Sequence, residues 1–474
     1  MSQTTELKSI KSGKKKHQWM CTECGNVTSG QMGKCTYCHA WGTVKKVFME
    51  DPIEESQPKH SVFVNAETDT EILAEIPESE VQRYKTGFSE FDRVLGGGIV
   101  PGSLTLLGGS PGVGKSTILL QVASNFAKKD MKVFYVSAEE SSQQLKLRAS
   151  RLNLPNQNIT VYTENNLEKV IAKIKDEAPD FIIVDSIQAV YLPAIDSIPG
   201  SITQLRESTS NLTRLAKATD IPIVLVGHIN KDGDIAGPKI LEHIVDAVLQ
   251  FEGDKASNFR VLRSVKNRFG STDEIGLFDM GSEGLIDLKN PSEIFLKQRS
   301  GGIVTATREG NRSLLLELQS LIIGSEYHNP RRLANGVDTG RLHQILAVLE
   351  RKLGLGLSKS DVYINAVGGL SIKEPAADLA IALSIFKNAR DLFNKGNKDA
   401  KDSSDVIALG EIGLSGEIRG INNLEGRLKE AAKLGFKTAL VPASNISTKV
   451  SSDLKKLGLN IIPIKKISEA IQHI

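Results

Sequence analysis

The sequence predicts an α/β protein whose main domain is built on a parallel β-sheet, with a small cysteine-bearing module before it and a second α/β domain after it. Three observations carry this prediction. The glycine-rich segment GSPGVGKS at 109–116 lies between an apolar strand pattern and a helical pattern. Apolar strand patterns then alternate with helical ones, which is typical of a parallel sheet. Four cysteines form two Cys-x2-Cys pairs between positions 21 and 38.

The length of 474 residues and the shifts in composition predict where the domains begin and end. Residues 1–50 are basic, with eight Lys against three Glu, and contain all four cysteines. Residues 51–80 hold nine acidic residues, one Lys and three prolines, so we interpret them as a linker. The parallel-sheet domain is predicted at 81–290 and the second α/β domain at 291–474.

Bulk charge and hydropathy bear on whether the protein needs a nucleic-acid partner, spans a membrane or is secreted. The net charge of +3 does not by itself demand a nucleic-acid partner. No apolar run approaches the roughly 20 residues that a membrane span needs. The basic start MSQTTELKSIKSGKKK has no apolar segment behind it and so does not read as a secretory signal. We therefore expect a cytoplasmic protein without a membrane partner.

Individual elements follow from the periodicity of apolar residues. In the first α/β domain a helix is predicted at Thr117–Ala127, and strands at Ser103–Leu107, Lys132–Val136, Phe181–Val184, Ile221–Val226, Val245–Phe251 and Phe259–Val265. In the second domain strands are predicted at Gly302–Ala306, Leu314–Leu318, Asp361–Val367, Val406–Leu409 and Thr438–Val441. Helices are predicted there at Thr339–Lys352, Pro375–Phe386 and Leu424–Leu434.

The cysteine spacing predicts a zinc ribbon. Two Cys-x2-Cys knuckles, separated by ten residues, can place four thiolates around one tetrahedral Zn²⁺. Four protein ligands leave no position for a reacting water, so the expected role of the zinc is structural. The predicted ligands are Cys21, Cys24, Cys35 and Cys38.

The glycine-rich segment matches GxxxxGK[ST] in full, and its position between a strand and a helix predicts a phosphate-binding loop. We expect Lys115 to reach the β- and γ-phosphates of ATP, Ser116 to hold Mg²⁺, and Thr117 to lie near the α-phosphate. The predicted nucleotide-binding residues are Gly109, Ser110, Pro111, Gly112, Val113, Gly114, Lys115, Ser116 and Thr117.

Two other strand ends supply candidate catalytic carboxylates. The apolar strand FIIVD ends at Asp185, which we expect to organise Mg²⁺ through water. The strand at Lys132–Val136 is followed by Glu139 and Glu140. Because the carboxyl ends of parallel strands line the ligand crevice, one of these glutamates can orient the attacking water. We choose Glu139 as the residue that orients the water, with Glu140 as the alternative. The structural alternative is that both glutamates open a helix, where the helix dipole favours acidic residues.

Several motifs resemble known families. TGF at 86–88, LGGG at 95–98 and PGS at 101–103 resemble the entry to RecA-core ATPases of the DnaB and RecA group. The segment KNRFG at 266–270 matches a signature of the RadA (Sms) family of bacterial DNA repair proteins, and 227–233 and 241–246 look like that family too. The order of parts is also similar: a four-cysteine ribbon, a RecA-like core and a Lon-protease-like C-terminal domain.

The resemblance implies a hexameric, ATP-driven motor that acts on single-stranded and branched DNA. It implies processing of recombination intermediates by strand-exchange extension or branch migration, in cooperation with the RecA recombinase. Lys266 and Arg268 follow a strand and precede a glycine, so they can form a finger that reaches a neighbour's γ-phosphate, or simply an exposed basic turn. His228 follows a strand near the expected γ-phosphate and is a candidate nucleotide sensor.

Two other functions compete with this one. A RecA-core regulatory ATPase that does not act on DNA, as in KaiC-type proteins, remains the alternative. An ATP-dependent protease is suggested by the resemblance of the C-terminal domain to Lon. However, Ala376 stands at the place of the nucleophilic serine and Glu425 at the place of the lysine, so serine–lysine chemistry is not expected.

Overall fold

The computed structural model describes residues 17–21, 27–28, 30–37, 41–48, 82–228, 241–253, 258–297, 299–326, 329–367, 371–393, 405–446, 454 and 456–474. The predicted linker at 51–80, the ligands Cys24 and Cys38, and the segment 230–239 lie outside these residues.

The N-terminal module contains a three-stranded antiparallel sheet in the order β2-β1-β3. Its strands are β1 (His17–Cys21), β2 (Val27–Thr28) and β3 (Val44–Phe48). Cys21 pairs with Val44 across the sheet, and both are buried together with Cys35. Trp19 packs against this cluster.

The main domain is built on a nine-stranded sheet in the order β12-β11-β10-β9-β4-β8-β7-β5-β6. The six strands from β9 to β6 are parallel, whereas β10, β11 and β12 extend the sheet in antiparallel fashion. The strands are β4 (Leu104–Gly109), β5 (Val133–Ser137), β6 (Ile159–Tyr162), β7 (Phe181–Asp185), β8 (Ile223–His228), β9 (Ala247–Glu252), β10 (Phe259–Asn267), β11 (Ile275–Gly281) and β12 (Gly284–Asp287).

Helices cover both faces of this sheet. They are α1 (Ser89–Val94), α2 (Lys115–Ala127), α3 (Ser142–Arg151), α4 (Leu167–Glu177) and α5 (Ile202–Thr219). Apolar residues of α1, α2 and α3 form one core, and those of α4 and α5 form the other. Successive residues of β7 alternate between the two cores, because side chains along a strand point to opposite faces. The run of apolar residues in β7 is thus explained by burial on both sides.

The C-terminal domain is built on a seven-stranded mixed sheet in the order β15-β16-β14-β13-β17-β20-β21, with β18 and β19 as a separate pair. Its strands are β13 (Ile303–Glu309), β14 (Arg312–Gly324), β15 (Arg332–Asn335), β16 (Ser360–Ala366), β17 (Val406–Ala408), β18 (Glu411–Ile412), β19 (Ile418–Arg419), β20 (Thr438–Pro442) and β21 (Asn460–Ile464). Its helices are α6 (Pro291–Leu296), α7 (Thr339–Leu353), α8 (Asp378–Phe393), α9 (Leu424–Lys433) and α10 (Ile467–Ala470).

The predicted α/β class with a parallel-sheet core is confirmed, and the predicted strands and helices are present. The ends of two differ most from the prediction: β14 continues to Gly324, six residues past Leu318, and α8 to Phe393, seven residues past Phe386. The predicted helix from Pro375 is divided, because residues 375–377 form a 3-10 turn and α8 begins at Asp378. No described helix combines the length and the apolar character that crossing a bilayer requires.

Polar contacts join the two sheets. Arg312 at the start of β14 donates to the buried carboxylate of Glu90 on α1. Arg263 of β10 contacts Glu309 of β13 at 2.8 Å. The main domain and the C-terminal domain are therefore connected through side chains as well as through the chain itself.

Candidate functional site

The phosphate-loop segment has a backbone that demands glycine at two positions. Gly112 and Gly114 have φ of 78° and 115°, in the left-handed region that favours glycine. A Cβ at position 114 would also lie 2.6 Å from Cε of Met280. Gly114 is the N-cap of α2, so the loop leads directly into the helix N-terminus, where backbone N–H groups can meet phosphate oxygens.

Lys115 is buried at the first position of α2. Its Nζ donates to the carbonyl oxygens of Gly109 at 2.7 Å and Ser110 at 3.2 Å, and lies 3.4 Å from Nδ1 of His228. Burial lowers the pKa of Lys115, whereas the nearby carboxylates of Asp185 and Glu139 act in the opposite direction. The ammonium group is thus held at the mouth of the loop by groups that a phosphate can replace.

Asp185 ends β7 and is held by a neighbouring strand. The hydroxyl of Tyr135 on β5 donates to Oδ2 of Asp185 at 2.7 Å. Tyr135 is fully buried, and burial together with the charge of Asp185 raises its pKa well above the usual value. The tyrosine hydroxyl therefore stays protonated and fixes the orientation of the carboxylate.

The two consecutive glutamates after β5 have different partners. Oε2 of Glu139 lies 3.3 Å from Nε2 of His228, and Oε1 accepts a hydrogen bond from the Ser186 hydroxyl. The hydrogen bond with His228 is the main cause that lowers the pKa of Glu139, against the opposing effect of burial. Glu140 instead pairs with Arg148 of α3 at 2.6 Å.

The strand order explains why these residues meet. The strands β4, β8, β7 and β5 are parallel neighbours, so their carboxyl ends lie along one edge of the sheet. That edge brings together Lys115, Asp185, Glu139 and His228. Sequence reasoning missed Tyr135 and Ser186. The signal for Tyr135 was available, since a tyrosine in a wholly buried strand needs a partner for its hydroxyl.

Lys266 and Arg268 lie away from this edge. Lys266 is opposite Val248 on β9, which is opposite Leu106 on β4, three residues before Gly109. At about 3.3 Å per residue, Gly109 is therefore roughly 10 Å further along the strand direction, and its carbonyl oxygen accepts from Nζ of Lys115. The structure does not bring Lys266 or Arg268 to the phosphate loop of their own chain.

Both cations have local partners. Nζ of Lys266 donates to the carbonyl oxygens of Val245, at 2.9 Å, and Glu242. Burial, and next the charge of Arg268, lower the pKa of Lys266. Arg268 contacts the buried Asp246 at 3.2 Å, but about half of its side chain (49%) stays exposed. Arg268 is thus available at the surface.

Two of the four predicted zinc ligands are described. Cys21 and Cys35 are buried in one cluster, and the backbone N–H of Tyr37 donates to Sγ of Cys35 at 3.4 Å. Within the described part of the chain, no three His, Cys, Asp or Glu side chains are grouped as a metal site. Cys24 and Cys38 lie outside that part of the chain.

The place of the Lon catalytic pair holds a different arrangement. Ala376 is buried in the turn before α8, and Glu425 in the first turn of α9 pairs with Lys429 at 2.6 Å. Beside them, the fully buried Arg427 makes two hydrogen bonds to the carboxylate of Glu374, at 2.5 and 2.6 Å.

Comparison with known proteins gives matches along nearly the whole chain. Family models described as an AAA domain and as subunit ChlI of Mg-chelatase match residues 68–234 and 343–445. The DNA repair protein RadA of Bacillus subtilis is 44% identical over 463 residues, covering 97% of this chain and 98% of that protein. RadA of Halalkalibacterium halodurans is 42% identical, with coverage of 95% and 97%. The match to a solved KaiC-like protein from Pyrococcus horikoshii is 21% identical and covers 44% of this chain and 99% of that protein, with a TM-score of 0.37.

Proposed function

Because the chain belongs to the RadA family of DNA repair proteins, we propose that it is an ATP-driven hexameric motor on single-stranded and branched DNA. Its activity would process recombination intermediates by extending strand exchange or branch migration, in cooperation with a RecA recombinase. The observation that carries the ATP-driven part is the convergence of Lys115, Asp185, Glu139 and His228 at one sheet edge.

Each residue at this edge has a proposed task. The loop from Gly109 to Thr117 binds the phosphates through backbone N–H groups, and Lys115 exchanges its carbonyl partners for the β- and γ-phosphates. Ser116 and Asp185 are suited to hold Mg²⁺, since Tyr135 fixes one oxygen of Asp185 and Ser116 lies in the first turn of α2. Bound Mg²⁺ would neutralise phosphate charge.

Glu139 is the proposed residue that orients the attacking water. The hydrogen bond from His228 lowers the pKa of Glu139 and favours its ionised form, so we assign Glu139 the task of orienting the water through a hydrogen bond rather than that of a strong base. Glu140 is less suited, because it pairs with Arg148 of α3, whereas Glu139 contacts His228, whose other ring nitrogen lies 3.4 Å from Nζ of Lys115. Lys266 and Arg268 are proposed to act on the nucleotide of a neighbouring subunit, since they lie far from their own phosphate loop.

One experiment tests the motor proposal directly. ATP hydrolysis is measured with and without single-stranded DNA, together with the solution mass of the protein. We expect DNA to stimulate hydrolysis, Lys115→Ala to abolish it, and Lys128→Ala, at the far end of the same helix, to leave it unchanged. Hydrolysis that is insensitive to DNA would instead favour the regulatory, KaiC-like alternative.

The domain division proposed from the sequence assigns 1–50 to a zinc ribbon, 51–80 to a linker, 81–290 to the ATPase domain and 291–474 to the Lon-like domain. The two sheets support the last two assignments. The shared burial of Cys21 and Cys35, and the N–H donated to one sulfur, suit thiolates that bind Zn²⁺. We expect one zinc per chain, and metal analysis of protein purified without chelators that finds none would refute the ribbon.

The Lon-like domain is proposed to lack proteolytic activity. A serine–lysine mechanism needs a hydroxyl nucleophile and a lysine base, and Ala376 and Glu425 supply neither. The two hydrogen bonds from the buried Arg427 to Glu374 indicate that the residues around Ala376 and Glu425 have a structural role.

A further inference from the structure

A polar cleft lies where the main domain meets the C-terminal domain. It is a cavity of about 340 Å³, open to solvent, between α1, the segment that leads into α6, the start of β14, and α9. Four cationic side chains line it, together with the amides of three asparagines. The cations are Arg93, Lys289, Arg312 and Lys433.

The four cations of this junction cleft differ in their carboxylate partners. The buried Glu90 contacts both Arg93, at 3.4 Å, and Arg312. Glu430 is 3.6 Å from Lys433. Within the described part of the chain, the ammonium group of Lys289 has no ion-pair partner. Glu293 and Glu274 contact the cleft as well, but they accept from the amides of Asn290 and Asn311, at 3.2 and 3.3 Å.

We propose that the junction cleft binds a phosphate group of single-stranded DNA. Cations and amide N–H groups are the donors that phosphate oxygens accept from in protein–DNA contacts. Arg312 is held rigidly by Glu90 and by the carbonyl oxygen of Lys289 at 2.8 Å, so it forms the floor of the cleft. Lys289 and the largely exposed Lys433 (75%) are the cations with freedom to reach a ligand.

This inference rests on the proposed function, because single-stranded DNA is the ligand proposed there. It adds a second kind of contact, outside the nucleotide site and formed by both domains together. A free nucleotide also carries phosphate groups. The test therefore measures DNA binding and nucleotide binding separately. DNA binding that spans both domains would link the position of the C-terminal domain to the DNA strand.

The first arm measures the affinity for single-stranded DNA as a function of salt, with ATP present. Each phosphate contact contributes about 0.7 to the slope of log affinity against log salt, which is about fivefold in affinity per tenfold in salt. We expect Lys289→Gln and Lys433→Gln each to lower the slope by up to this amount and to weaken binding at 0.1 M salt by up to about fivefold. Lys437→Gln is the matched control, because Lys437 is equally exposed but pairs with Asp405 outside the cleft.

The second arm measures ATP binding in a Lys115→Ala background, with and without Lys289→Gln. If the cleft binds DNA and not nucleotide, adding Lys289→Gln should not change ATP binding in that background. If Lys289→Gln alters only nucleotide binding, or if both DNA slopes equal that of Lys437→Gln, the proposal is overturned. Failure of wild-type protein to bind DNA at all would count against the proposed function instead.

Discussion

The carboxylate of Asp185 has one oxygen committed to the buried hydroxyl of Tyr135, and this single contact sets the geometry of the proposed Mg²⁺ site. We predict that Tyr135→Phe raises the Mg²⁺ concentration needed for half-maximal ATP hydrolysis by about 10-fold, as losing an orienting partner of a metal ligand commonly does. The fold should survive, because only one hydroxyl is removed. Titrating Mg²⁺ at saturating ATP checks this.

Tyr162→Phe is the control for this change. Tyr162 is on the adjacent strand β6, where its ring lies 5.9 Å from that of Phe134, and its hydroxyl does not contact Asp185. An equal Mg²⁺ midpoint in Tyr135→Phe and Tyr162→Phe would show that Tyr135 is merely structural.

Glu139 and Glu140 show a limit of what the local sequence pattern predicts about the site. A strand followed by two acidic residues predicts a carboxylate at the site but does not distinguish Glu139 from Glu140. The structure distinguishes them through partners distant in sequence: His228 and Ser186 contact Glu139, and Arg148 contacts Glu140. These contacts depend on how β8, β7 and α3 pack, which the local sequence does not contain.

At the scale of elements, the buried parallel strands were predictable because they are apolar on both faces. The helix α5 was not predicted, because polar residues interrupt its apolar stripe. Gln204, Ser208 and Asn211 are buried in it. Gln204 alone makes four hydrogen bonds with the preceding loop, to Leu192, Ile195 and Ser197. Hydrogen bonds to residues outside the helix therefore offset the cost of burying this polar side chain.

The contact between α1 and β14 allows a prediction at the same scale. Glu90 is fully buried and Arg312 is its closest cation. Arg312→Met would leave the carboxylate with the backbone N–H of Leu277 at 3.0 Å and, as its remaining cation, the half-exposed Arg93 at 3.4 Å. Breaking a buried pair in this way costs about 3–5 kcal/mol, and the remaining arginine favours the lower end. Denaturant unfolding of the variant should show this loss.

Replacing both partners tests the physical reason. A variant with Glu90→Leu and Arg312→Met has no buried charge to leave unpaired, so it should recover most of the lost stability. Lys173→Met, which removes an exposed pair with Glu177, serves as the surface control and should leave the unfolding midpoint unchanged. An Arg312→Met midpoint equal to that of the control would contradict the prediction.

At the scale of the whole molecule, the role proposed for Lys266 and Arg268 requires a second chain. The register of β4, β9 and β10 separates them from the phosphate loop of their own subunit by roughly 10 Å or more. A head-to-tail contact in a ring places one surface of each subunit against a different surface of the next. The half-exposed Arg268 can then reach the nucleotide of its neighbour, which a single chain does not permit.

We predict that Arg268→Ala nearly abolishes DNA-stimulated hydrolysis while ATP still binds, because a finger of this kind contributes about 10³–10⁵ in rate. Mixing two inactive proteins tests whether the finger acts between subunits. The Lys115→Ala chain keeps its finger, and the Arg268→Ala chain keeps its phosphate loop. Mixed rings join some intact halves, so part of the hydrolysis should return at intermediate mixing ratios.

Assembly must be measured separately, because Arg268 also pairs with Asp246 and its loss could disturb the fold. The solution mass of Arg268→Ala alone, and of the mixture, shows whether rings form. Arg268→Lys is a further control: it retains the charge near Asp246 but lacks the planar group that can contact two phosphate oxygens at once. If the two inactive chains co-assemble and no hydrolysis returns at any ratio, Arg268 is part of a basic surface turn, and the motor must complete its nucleotide site with another residue.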